Sequence, residues 1–106
     1  AMCYIDYAVE MSIRSCESEK TNGEILNIGN EEQEIKVKNL VYTIAEVLDR
    51  DIEINELQET PGSPKRRCPD ISKIKNLTGY NPSVSLKEGI QKTYDWYKDK
   101  LNDRYE

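Results

Sequence analysis

The chain has 106 residues, a third of them charged, with a formal net charge of −5, no His and no Phe. That length suits one domain with a modest core, whose aromatic part must come from seven Tyr and one Trp. Without His there is no Ser-His or Cys-His nucleophile and no imidazole metal site; no apolar run is long enough to span a bilayer, and the acidic start is unlike a signal peptide, so a cytoplasmic location is expected.

From the N-terminus, "CYI" is a short β-prone run, and Asp6 stands where a helix N-cap would, ahead of Val9, Ile13 and Cys16 at helical spacing. This predicts a helix from about Tyr7 to Cys16. "TNG" breaks it, and "EILNIGN" reads as a strand turning at Gly29 and Asn30. Val37, Leu40, Val41, Ile44, Ala45 and Leu48 then follow the template of a one-faced helix. "DIEINEL" alternates as a strand, and "QETPGSPKRRCP" is a long loop holding three of the four prolines. Asp70 is placed to cap a short helix through Ile71, Ile74 and Leu77 that stops at Gly79. Ser85 with Glu88 forms a capping-box pattern that opens a last helix, with the stripe Leu86, Ile90, Tyr94, Tyr97 and Leu101. Cys3, Cys16 and Cys68 are far apart with no Cys-x-x-Cys spacing. They read as reduced thiols, Cys3 and Cys16 as small buried apolar residues.

Strands separated by helices predict an α/β domain over residues 1–106: a small parallel sheet of about three short strands with four helices. So small a sheet is expected to extend another sheet or to lean on a partner domain. Charge is segregated along the chain. Pro64 to Asn76 carries +4, leaving −9 for everything else, and Lys65, Arg66 and Arg67 stand in a row. Two readings of that run stay open from composition: a solvated loop that offsets the surrounding acid, or an anion site built from Arg forks and the N–H groups of the helix that follows. Nucleic acid is a poor fit, because a phosphate backbone is bound by many cations spread along a surface and the sequence pI is near 4.9.

Together, "CYIDYAVE", "GEILNIGN", "VKNLVYTIAEVL" and "SPKRRCPDISKIKNLTGYNPSVSLKEGIQKTYDWY" resemble the C-terminal part of the extended short-chain dehydrogenase/reductase family in order and spacing. These are the NAD-dependent nucleotide-sugar epimerases, dehydratases and decarboxylases, and the run R-x-P-D-I-S-K, G-Y-x-P, S-L-x-E-G-I looks closest to the UDP-glucuronate decarboxylase and sugar 4,6-dehydratase branches. The resemblance implies a substrate-binding lobe that closes over a UDP- or dTDP-sugar held against a Rossmann NAD-binding domain outside this chain. It implies that Arg67 reaches the nucleotide-sugar, with Arg66 and Lys65 matching less firmly.

The family's Gly-rich NAD turn has no counterpart, since Gly23, Gly29, Gly62, Gly79 and Gly89 are dispersed, so no cofactor is expected on this chain. Tyr94 and Lys98 imitate the family's Tyr-x-x-x-Lys, but they lie beyond the R-x-P-D-I run and Tyr94 belongs to the apolar stripe, so no catalytic residue is assigned. An arginine that relatives place before the "YIDYAV" stretch has no position here, and Lys36 stands where they often have a Ser or Thr cap. The expectation is a nucleotide-sugar-binding portion without turnover of its own. The alternatives are a free-standing nucleotide or small-anion module, or a subunit that complements a separate Rossmann protein. Self-association through surfaces left open by the missing domain is expected as well.

Overall fold

A computed structural model describes the backbone of residues 1–105 and the side chains of residues 1–101. Four helices order the chain: α1 Ile5–Glu17, α2 Val37–Val47, α3 Ser72–Thr78 and α4 Leu86–Tyr105, with short 3-10 turns at Glu19–Thr21 and Glu31–Gln33. The core lies between α1 and α3. Tyr7 and Met11, one turn apart on α1, meet Ile71 and Ile74, and Cys3, Leu26 and Tyr80 pack around these four buried residues. Tyr7 stacks on Tyr80 with ring centroids 5.3 Å apart, and the Arg14 guanidinium lies 4.7 Å over the Tyr80 ring.

α1 begins two residues before the expected start. Asp6 falls inside its first turn, where its charge suits the helix dipole, and Tyr4 is an N-cap with no side-chain bond. The face opposite Tyr7 and Met11 carries Ile5, Val9 and Ile13, which are 63%, 50% and 47% exposed. Cys16 is exposed too, so the expectation that it is buried fails.

α2 follows its predicted apolar template, yet none of its residues is fully buried. Lys36 is its N-cap and makes no capping bond. α2 packs on α4, where a Lys87–Glu46 ion pair at 2.7 Å ties the helices together. Between them and the N-terminal segment lies a groove of about 910 Å³, lined by Met2, Tyr4, Leu40, Ile44, Ile90 and Tyr94 among others. α4 opens as predicted, with Ser85 Oγ accepting from the Glu88 N–H at 3.2 Å. Gly79 ends α3 in the left-handed region, at φ 69°.

The four helices are present, while the expected parallel sheet of about three strands is not seen: no strand is present among the described residues. "CYI" gives way to α1, while residues 24–28 and 51–57 lie outside any helix or strand. A ladder needs a second segment at backbone hydrogen-bonding distance, and none pairs with these segments among the described residues. Residues 24–27 are held against α3 by side chains instead: Lys73 pairs with Glu24 and donates to the Ile25 carbonyl, and Asn27 Nδ2 donates to the Asp70 carbonyl. Leu57 is 84% exposed. The radius of gyration is 16.8 Å, against about 13 Å for a typical 100-residue domain, so the fold is open. No described helix is long and apolar enough to cross a membrane.

Candidate anion site on the basic loop

The loop before α3 is shaped by its own residues. Pro61 and Gly62, the latter at φ 82°, form a turn closed by a Ser63 N–H bond to the Thr60 carbonyl at 3.1 Å. Beyond Pro64, Lys65, Arg66 and Arg67 are exposed, and the chain becomes half-buried at Cys68 and Pro69. Pro69 seats on Gly29: a Cβ at position 29 would lie 2.5 Å from the proline Cγ, so only glycine permits this approach.

The three cations have different fates. Arg66 makes a two-pronged ion pair with Glu34, Nε and one terminal nitrogen meeting the two carboxylate oxygens, the second contact at 2.8 Å. The Arg66 hydrogen bond holds the Glu34 carboxyl well below its usual range, at about 2, and the arginine is shifted up in turn. The Arg67 backbone carbonyl accepts from the Ala1 nitrogen. Among the described residues, neither the Arg67 side chain nor Lys65 has a hydrogen-bond or ion-pair partner.

Two of the N–H groups at the start of α3 are already engaged. The Ile71 N–H donates to Glu31 Oε2 at 3.4 Å, and the Ser72 N–H and hydroxyl both donate to Asp70 Oδ1, at 2.9 and 2.6 Å. Those Ser72 bonds lower the Asp70 pKa. Asp70 thus caps this end as the sequence predicts, one residue outside the formal N-cap Ile71, and the protein's own carboxylates hold these two donors.

The residues that sequence reasoning missed are in "EEQE", the acidic turn after Asn30. Glu31 accepts from Ile71, pairs with Lys75 at 3.3 Å, and takes the Cys68 thiol on its carbonyl at 3.7 Å. The Gln33 carbonyl accepts the Met2 N–H at 3.1 Å, and its side chain donates to the Val84 carbonyl at 2.7 Å. Glu34 holds Arg66. The signal was an acidic run facing a basic run of opposite sign in the same chain. The large groove lies elsewhere and none of the three cations lines it; Tyr94 does, consistent with its place in the apolar stripe.

No protein-family model matches the chain. Individual proteins do. The chain is 38% identical over 90 residues to UDP-glucuronic acid decarboxylase 6 of Arabidopsis thaliana, covering 85% of this chain and 25% of that protein. It is 33% identical over 90 residues to dTDP-glucose 4,6-dehydratase of Escherichia coli, covering 76% of this chain and 24% of that one. In structure it superposes on UDP-glucuronic acid 4-epimerase from Bacillus cereus, solved in complex with UDP-glucuronic acid and NAD, with a TM-score of 0.83 and 31% identity over 92% of this chain and 31% of the epimerase.

Sequence and fold therefore relate the chain to the nucleotide-sugar epimerases, decarboxylases and dehydratases. What it matches in them is their C-terminal region, and it spans about a quarter to a third of their length.

Proposed function

We propose that this chain is the nucleotide-sugar-binding portion of an NAD-dependent epimerase, dehydratase or decarboxylase, and that it has no turnover by itself. The superposition on part of an epimerase that holds UDP-glucuronic acid and NAD carries this reading. Arg67, with a side chain that finds no partner among the described residues, is the group proposed to grip the diphosphate of a UDP- or dTDP-sugar, with Lys65 adding charge beside it. Arg66 is proposed to shape the site from its ion pair with Glu34. This grip needs no helix dipole: the Arg67 fork with the nearby Lys65 charge on a proline-restricted loop suits one small anion.

NAD, which supplies hydride transfer when bound, is assigned to the rest of the enzyme. The glycines here sit in separate turns, with Gly23, Gly62 and Gly79 at positive φ far apart in the chain, and they do not fit a phosphate cradle. Two exposed apolar surfaces support docking of that Rossmann domain, or association with a second copy in a cytoplasmic setting: the α1 stripe Ile5–Val9–Ile13 and the groove beside α2 and α4. Segments 24–28 and 51–57, which read as strands in the sequence, would gain strand partners there.

The test is an assay of epimerase, dehydratase and decarboxylase activity with NAD and UDP-sugars. No turnover is expected, and turnover by the 106-residue chain would overturn the proposal. Calorimetry with UDP, UDP-sugar and pyrophosphate separates the alternatives: binding lost in Arg67→Ala supports a binding role, and heat unchanged by that substitution contradicts it.

A further inference from the structure

We infer that Glu34 is a positioning residue for the proposed anion site: through its two-pronged pair with Arg66 it holds the basic loop in the shape that presents Arg67. The inference rests on the nucleotide-sugar reading above and names the residue that fixes the site's geometry. Arg66 is the loop's one cation with a side-chain partner among the described residues, and that partner uses both carboxylate oxygens on a planar fork, which sets orientation as well as distance.

Glu34 can act as an anchor because the turn that carries it is itself fixed. Gln33, one residue before, holds Met2 through its carbonyl and Val84 through its side chain. Glu31 holds Cys68, Ile71 and Lys75, and the neighbouring Gly29 seats Pro69. The loop is therefore clasped on both sides of Arg67, by Arg66–Glu34 before it and by Cys68–Glu31 and Pro69–Gly29 after it. The chain between the clasps is one residue long, so the backbone of Arg67 has little freedom while both hold. Glu34 does not touch the ligand in this account. Its negative charge near the site opposes an anion, so a purely electrostatic role predicts tighter binding on its removal, whereas positioning predicts weaker binding.

The experiment follows the Arg67 Nε–H resonance of the labelled 106-residue chain during titration with UDP, for wild type, Glu34→Gln, Glu34→Asp and Arg66→Ala. In parallel, it measures trypsin cleavage within Lys65–Cys68 without ligand. Glu34→Gln is expected to weaken UDP binding about fivefold and to speed cleavage, with Glu34→Asp recovering part of both. Arg66→Ala combined with Glu34→Gln should add nothing further to the loss of affinity. UDP affinity unchanged or raised in Glu34→Gln, with wild type binding, would overturn the inference and leave the nucleotide-sugar reading standing. A wild-type chain with no response to UDP would overturn both. Glu34 is at the surface, so loss of folding is not expected to confuse the result, and the dispersion of the remaining amide resonances checks it directly.

Discussion

The α1–α3 side and the α2–α4 side of the molecule are both built from amphipathic helices and end in different states. Between α1 and α3, Tyr7, Met11, Ile71 and Ile74 exclude water almost completely. Between α2 and α4, a longer and cleaner apolar stripe leaves every α2 residue short of full burial and lines an open groove. Amphipathic patterning creates a face to be covered; whether it is covered depends on what the rest of the chain places over it. Cys3, Leu26 and Tyr80 close over the first pair of helices, whereas the second pair borders an open groove.

The sharpest way to break this contrast is by truncation. Met11→Ala or Ile74→Ala should cost about 3 kcal/mol in urea unfolding, while Leu40→Ala or Ile44→Ala on α2 should cost about 1 kcal/mol. Equal costs would show that the groove is closed in solution. Next in size, Gly29→Ala pushes a methyl group into the Pro69 ring and should cost about 2 kcal/mol, with changed amide shifts along the basic loop.

Tyr7→Phe tests the Tyr7 hydroxyl, a buried polar atom that finds no partner among the described residues. Removing it should be neutral or stabilise by about 1 kcal/mol. Burial, chiefly, pushes that phenol up to about 12. The folded state therefore holds the proton more tightly than the unfolded state. The associated stability is present below the ordinary phenol value and is lost as pH rises from there through about 12, which alkaline unfolding of wild type against Tyr7→Phe would reveal.

On the open side, Lys36→Ser supplies the missing cap of α2 and should stabilise by about 1 kcal/mol. The smallest effect concerns Glu34. Its depressed pKa means that the Arg66 pair is intact above the ordinary carboxylate range and is lost as pH falls through about 2. The Arg66 Nε–H shift should stay constant down to about pH 3; a change centred near the ordinary value would show that the pair does not persist in solution.

The sequence was a good guide wherever the cause is local. The α2 stripe, the Ser85 cap, the Gly79 stop and the Asp70 cap each depend on residues within a turn of one another, and the structure shows all four. Strands depend on a partner segment, and alternation in "DIEINEL" or "EILNIGN" cannot say whether this chain contains one. The Arg66–Glu34 pair joins residues 32 positions apart, and the Gly29–Pro69 contact joins residues further apart still; neither has a periodic signature. The basic run was legible as a charge anomaly. That Arg66 is clasped and Arg67 is not became visible only with the fold.

The most direct test of the account is a UDP-glucuronic acid titration of the labelled chain, followed over all backbone and Arg side-chain resonances. The account predicts shifts concentrated at Lys65–Pro69 and at the Gly29–Glu34 turn, abolished by Arg67→Ala. Shifts confined to Leu40, Ile44 and Ile90 around the groove, or no shifts at all, would contradict it.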